Sequence, residues 1–372
     1  MHYLNDINFL KFSIDQNQSP VNFSYIIKRD IIINENLISK VIANKNVLVT
    51  GGGGSIGSAL VMQLLPLNPS SIIIYDISEY NLYEISKKIE NITTETKIYY
   101  TLGSVLDSAL LDNIFLKYQI SIVFHVAAYK HVNITQKNIL QVFKNNYYGT
   151  KIVSDLAEKF SIENFINIST DKAVNSTNYM GYSKRIAEIY LQTKNSKKIN
   201  KTKFSIIRFG NVVGSSGSAI PLFIKQIQKG EGVTITDKNV SRYFMTINEA
   251  VSLVLETLTF KNNNLFYVLN MGEPLNILSM VKKIINISGF QYSEKAKLGM
   301  IHFKFTGLQE GEKISEELFY NKNYKNSSNK NIFNIEENFD ENKNQNILKE
   351  IDDALNRDDE EKIIHLIDKI KI

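Results

Sequence analysis

Apolar residues along this chain gather in short dense runs, separated by stretches where they return every three or four positions. The first dense run, "NVLVT" at 46–50, is compact and rich in valine, as a strand buried on both faces requires. Similar runs follow at "SIIIYD" (71–76), "KIYYTL" (97–102), "SIVFHV" (121–126), "NFINIS" (164–169) and "FSIIRF" (204–209). Between them, "NLYEISKKIE" and "LLDNIFLKY" have helical spacing, and "ENLISKVI" (35–42) predicts a short helix ahead of the first run. Strand and helix alternating at this interval predict βαβ units and an α/β fold built on a doubly wound parallel sheet.

Past residue 210 the alternation loosens into turns and short helices, and "LFYVLNM" (265–271) is expected to return to the sheet. "YNKNYKNSSNKN" (320–331) reads as a loop or linker, and "QNILKEIDDALN" and "DDEEKIIHLIDKI" as helices. The expected organisation is an N-terminal arm and short helix over 1–44 and a nucleotide-binding domain over 45–210. A smaller mixed α/β region for substrate follows over 211–330, with a helical tail over 331–372. Residues 1–26 are polar and aperiodic.

Composition narrows the possibilities. With 372 residues, 43% hydrophobic and 22% charged, the chain has the make-up of an ordinary globular protein. It has no cysteine, which excludes disulfides and thiolate metal sites and fits a reducing compartment. No apolar run approaches the ~18 residues of a membrane span, and the N-terminus lacks the pattern of a signal peptide. The expected location is therefore cytoplasmic. A net charge of +5, spread along the chain, does not make a nucleic-acid stripe. No metal site is expected.

"VTGGGGSIGS" places Gly51, Gly54 and Gly57 directly after the first strand, with Ser55, Ile56 and Gly57 opening a helix. Glycines there let the backbone turn tightly and approach a pyrophosphate, and the helix N-terminus offers it N–H groups. The next strand ends at Asp76, nineteen residues beyond Gly57, where a carboxylate can accept from a ribose diol and would repel a 2′-phosphate. The arrangement is Rossmann-type and favours NAD over NADP. Ser104 and Val105 follow the third strand, and Ala127 and Ala128 the fourth, at the strand ends where ligands bind in such sheets.

"STDKAVNSTNYMGYSK" (169–184) sets two hydroxyls, a carboxylate and two lysines after the fifth strand. Met180 and Lys184 are four apart, so on a helix they share a face to within roughly 40°. Tyr179, five before Lys184, points about 140° away on the same helix. Lys130 and His131 in "YKHV" could reach a sugar or its phosphates, and Arg242 in "SRYFM" offers a planar fork for phosphate oxygens.

These stretches, with "HVAAYKHV", "NNYYGT", "RFGNVVGSSGSAIPLF", "SRYFMTINEA", "LNMGEP" and "TGLQEGEKISEEL", run in order over residues ~27–372. Together they resemble the extended short-chain dehydrogenase/reductases, and within them the UDP-N-acetylglucosamine 4,6-dehydratases of polysaccharide biosynthesis. Members of that superfamily carry a Tyr-x-x-x-Lys pair, and here Met180 stands at the tyrosine position. The methionine resembles the branch that retains C5 configuration, of which this chain matches the soluble catalytic part. The resemblance implies C4 oxidation by NAD, C5 deprotonation, loss of water from C6 and return of hydride to C6. It implies that Thr170 binds the C4 oxygen, Asp171 protonates the leaving hydroxyl, Lys172 is the C5 base and Lys184 holds the nicotinamide ribose. Asn211 and Glu312 are implied at the pyrophosphate or sugar and at the uridine ribose. Gln309 and Glu310 depart from the family's arginine and proline. The expected partner is a UDP-sugar, with no nucleic acid, no membrane span and a homo-oligomeric assembly. The alternatives are a nucleotide-sugar 4-epimerase, which needs neither a C5 base nor a C6 acid, and a non-catalytic NAD-binding sensor.

Overall fold

The computed structural model describes residues 31–196, 201–261, 265–320, 324–337 and 339–370. The expected arm over 1–26 lies outside the described residues.

Six parallel strands carry the first half of the chain. They are β1 (Asn46–Thr50), β2 (Ser71–Asp76), β3 (Lys97–Leu102), β4 (Ile122–His125), β5 (Asn164–Thr170) and β6 (Lys203–Phe209). Across the sheet they run β6-β5-β4-β1-β2-β3, and beyond β6 the sheet continues through Phe266–Leu269, Ile332–Ile335 and Tyr324–Asn326. This is the doubly wound order, in which the winding reverses between β1 and β4 and leaves a crevice at the strand C-termini. β2 and β4 are buried throughout, while the edge strand β3 is largely exposed. That difference follows from position, because only inner strands of a two-sided sheet are covered on both faces.

The chain divides into two compact units. Among the described residues the larger takes in Ile32–Phe209, Ala250–Asn270 and the chain from Glu317 onward, and the smaller Gly210–Glu249 and Met271–Glu316. The smaller unit has its own core, in which Phe223, Ile227, Val281, Ile284 and Ile301 are buried together. In the larger, the closing helices Glu341–Asn356 and Glu360–Ile370 bury Ile351, Leu355, Ile363 and Leu366 against Phe143, Tyr147, Ile186 and Ile189.

Two expectations need correcting. The presumed linker contains a strand, Tyr324–Asn326, antiparallel to Ile332–Ile335, which pairs in turn with Phe266–Leu269. Tyr324–Asn326 is exposed at the sheet edge, so its Asn- and Lys-rich surroundings carry no apolar signal. The helical tail expected over 331–372 has its two helices but is preceded, from its second residue, by a sheet strand, Ile332–Ile335.

Candidate active site

The glycine turn is shaped by close approaches. Gly51 has φ +65°, and a side chain there would lie 2.8 Å from the Ala127 backbone. A Cβ at Gly57 would lie 2.1 Å from the Gly51 carbonyl oxygen, so only glycine lets the helix Ser55–Leu64 start so close to the strand. Gly54 is less confined: the one atom its Cβ would meet within 4 Å is the Gly51 oxygen, at 3.3 Å, a tight contact but far milder than those at Gly51 and Gly57. As the helix N-cap it carries no side chain to occupy the leading N–H groups.

Asp76 is buried, and its two oxygens accept from the Gly53 N–H at 3.0 Å and the Ser78 N–H at 2.9 Å. The carboxylate thus ties β2 to the glycine turn and retains lone pairs for further donors. It is not a helix cap, because Ser78 caps the helix Glu79–Ile89. The Ser104 carbonyl accepts from the Tyr75 hydroxyl at 2.7 Å. Val105 is buried where a Cβ on Gly149 would meet its Cγ2 at 2.6 Å, so it packs the helix Gly149–Lys159. Ala127 is half-buried, and Ala128 and Lys130 are exposed. Partial burial and then the Lys130 cation push the His131 imidazole down from its ordinary value.

At the end of β5 the chain enters a single 3-10 turn, Asp171–Ala173, capped by Thr170, whose hydroxyl oxygen accepts from the Lys172 N–H at 3.3 Å. Asp171 is fully buried. Its Oδ1 accepts from the Thr170 hydroxyl and from the Lys172 ammonium, each at 3.0 Å. Its Oδ2 is buried with no hydrogen-bond partner among the described residues. The helix Tyr179–Asn195 is pressed onto this turn, since a Cβ on Gly181 would lie 2.2 Å from the Lys172 carbonyl oxygen.

That helix brings Met180 and Lys184, both buried, to the same region. Burial pulls the Lys184 ammonium down to about 8, and the Glu188 carboxylate one turn on opposes the shift. Neither nearby tyrosine replaces the phenol missing at 180. Tyr182 is buried in the helical core and Tyr179 packs against it.

A buried polar chain that sequence reasoning missed joins the two ends of this region. The Thr50 hydroxyl oxygen accepts from the Val126 and Ala127 N–H groups at 3.2 and 3.4 Å. Its proton is therefore directed to His125 Nδ1, 2.9 Å away, which makes Nδ1 the acceptor. Nε2–H then donates to the Thr150 hydroxyl at 3.0 Å, and Thr150 donates to the Asn146 carbonyl at 2.6 Å. The Asn146 amide donates to Ser183 at 3.0 Å, and Ser183 to the Met180 carbonyl at 2.7 Å. Burial, with the Lys184 charge second, lowers His125 to about 3 and keeps it neutral. The available signal was a histidine inside the apolar run "SIVFHV", where a partner is obligatory.

Asn211, Arg242 and Glu312 belong to the smaller unit. Arg242 is buried. It donates to the carbonyls of Ser241, Lys313 and Ile314 and to Glu312 Oε1 at 3.0 Å. Glu312 also accepts from the Thr236 hydroxyl at 3.0 Å and the Gln309 N–H at 3.2 Å. The bond is made by the Gln309 backbone, so it does not depend on which side chain stands at that position. Asn211 donates its N–H to the Tyr243 carbonyl at 3.0 Å.

The model of one family, described as "Polysaccharide biosynthesis protein", matches residues 47–337. The chain belongs to that polysaccharide biosynthesis protein family. Within it, the probable polysaccharide biosynthesis protein EpsC of Bacillus subtilis (strain 168) is 39% identical over 297 residues, 80% of this chain and 48% of the relative. The chain thus spans about half the length of that relative. A UDP-N-acetylglucosamine 4,6-dehydratase (inverting) of Campylobacter jejuni (strain 81-176) is 31% identical over 275 residues, 73% of this chain and 76% of the relative. A UDP-glucose 4-epimerase of Rickettsia canadensis is 29% identical over 280 residues, 74% of this chain and 77% of the relative. Among the described residues, no helix is long and apolar enough to cross a membrane, and no metal-binding cluster is found.

The side-chain-free Gly54 at the helix N-cap, the twin oxygens of Asp76 and a buried Lys184 form a set of donors and acceptors that fits a dinucleotide.

Proposed function

We propose that this protein is an NAD-dependent nucleotide-sugar 4,6-dehydratase acting on a UDP-N-acetylhexosamine, most simply UDP-N-acetylglucosamine. The observation that carries the reading is the Asp171 carboxylate, buried, bonded to Thr170 and Lys172, with one oxygen that finds no donor among the described residues. NAD bound at the glycine turn supplies the oxidising and reducing equivalents, with no net turnover of the cofactor.

The protein's own residues move the protons. Thr170 receives the C4 hydroxyl and passes its proton to Asp171, to which it is already bonded. Asp171 gives that proton to the C6 hydroxyl as it departs as water. Lys172, once its ammonium proton has passed to solvent, removes the C5 proton and later returns it, so each proton taken from the sugar is accounted for. Lys184 orients the nicotinamide ribose, and Met180 fills the tyrosine position without exchanging protons. One base that takes and returns the C5 proton on one face gives retention at C5. Inversion, the outcome in the Campylobacter relative's name, requires delivery from the other face.

The epimerase named among the relatives makes C4 epimerisation the second reading. An epimerase has no use for an acid at C6, which the Asp171–Lys172 pair provides. The test is incubation of the purified chain with NAD and UDP-N-acetylglucosamine. Alkali-developed absorbance of a 4-keto sugar and loss of one water by mass spectrometry are expected. A C4 epimer that keeps its C6 hydroxyl would establish the second reading, and an unchanged sugar would leave only cofactor binding.

A further inference from the structure

The Thr170–Ala173 turn is gripped at both ends by residues that do not reach its reacting side chains. At the β5 end, the Ser169 hydroxyl donates to Glu188 Oε1 at 2.7 Å. Glu188 is held by the fully buried Arg208 through two parallel bonds, Nε to Oε1 at 2.7 Å and Nη2 to Oε2 at 2.5 Å. Arg185 adds a bond to Glu188 at 3.2 Å, and both arginines also bond Glu337. Burial alone would raise Glu188, but Arg208 and then Arg185 outweigh it and hold the carboxyl below its ordinary range. Two cations and two anions thus cancel inside the protein. Such a cluster adds little net stability over apolar packing, so its main consequence is geometric.

At the other end, the Tyr320 hydroxyl donates to the Ala173 carbonyl at 2.8 Å. The Tyr320 ring lies 5.0 Å from the Arg185 guanidinium carbon and 5.7 Å from that of Arg208, within cation–π range. Burial raises the phenol to about 12, so it keeps the proton it donates. Nearby, the Asn175 amide donates to Glu317 at 2.8 Å.

We propose that Tyr320 is a positioning residue for the catalytic turn, seated by the Arg185–Arg208–Glu188–Glu337 cluster and fixing Ala173 while Glu188 fixes Ser169. The proposal rests on the dehydratase reading for its effect on rate. The hydroxyl acts on backbone two residues from Asp171, so its loss shifts the proton carriers without removing any.

The test is Tyr320→Phe in the full chain, which keeps the ring between the guanidiniums and deletes only the donor. Dehydration kcat per folded molecule should fall on the order of tenfold to a hundredfold, the penalty typical of a misplaced catalytic group. KM for the UDP-sugar and NAD content should hold. Amide hydrogen exchange over residues 170–176 should quicken in the variant while β1 and β2 are unaffected. An unchanged kcat per folded molecule, or unchanged exchange over that turn, overturns the proposal. If the unsubstituted chain forms no 4-keto sugar, the dehydratase reading falls, and exchange alone decides whether Tyr320 holds the turn.

Discussion

The Lys172 ammonium lies 3.0 Å from Asp171 Oδ1, while the other oxygen of that carboxylate is buried with no partner among the described residues. The two side chains are adjacent in sequence, yet Asp171 is fully buried and Lys172 keeps some exposure. The proposed acid and base thus sit side by side on one turn.

Asp171→Asn removes the proton carrier and keeps the shape. NAD should remain bound, and water loss should fall by about 10²–10⁴, the usual contribution of a general acid. Product formation followed by mass spectrometry, beside the NAD content of the purified variant, checks this. Full dehydration by the variant would count against the acid role.

Lys172→Met removes the base. Solvent deuterium should no longer enter C5 of recovered substrate or product, read by NMR, whereas the unsubstituted protein should exchange it. Continued deuterium entry would transfer the base role to another group.

His125 predicts a dependence on pH. Its folded pKa is about 3, against the ordinary histidine value of 6.5, because burial and then Lys184 disfavour the imidazolium. A depressed value means that the contribution is fully present above pH 6.5 and is lost as pH falls toward 3. His125→Gln should lower stability near neutrality by about 1–3 kcal/mol through broken buried hydrogen bonds. It should also flatten the loss of stability across that acid window. Denaturant midpoints of both proteins measured across the window test this, and parallel curves would exclude His125 as the source.

Two glycine substitutions should separate folding from cofactor binding. Gly57→Ala pushes a methyl to 2.1 Å from backbone and should destabilise by about 1–3 kcal/mol. Gly54→Ala meets only the Gly51 oxygen, at a milder 3.3 Å, so it should cost clearly less in melting temperature than Gly57→Ala and still lose NAD. Thermal melts with and without added NAD distinguish the two, and equal NAD retention in both would put the pyrophosphate elsewhere.

The strands were legible as dense, β-branched apolar runs, which burial on both faces demands of β1 and β2 and which the exposed edge strand β3 shares in sequence only. "NVLVT", "SIIIYD" and "KIYYTL" coincide with β1, β2 and β3, and the run read over 121–126 covers β4. The short helix over 35–42 is likewise Glu35–Ile42. Tyr324–Asn326 escaped notice because an exposed edge strand needs little apolar content, and Ile332–Ile335 because an apolar run of four residues is too short to stand out from the polar chain around it. The candidate site was readable where its parts are neighbours in sequence, as Thr170, Asp171 and Lys172 are, or where glycine is sterically required, as at Gly51 and Gly57.

Local order in the chain determined the alternating elements, the glycine turn and the residue types that follow each strand, since periodicity and backbone sterics act over a few residues. Only the tertiary structure decided which polar groups meet. Arg242 is bonded to Glu312, 70 positions away, and Arg208 to Glu337, 129 away. Thr50 and Thr150 close on His125 from opposite sides. The physical reason is that a buried charge or amide must find a partner wherever the fold brings one, and nothing in its own neighbourhood records which it will be.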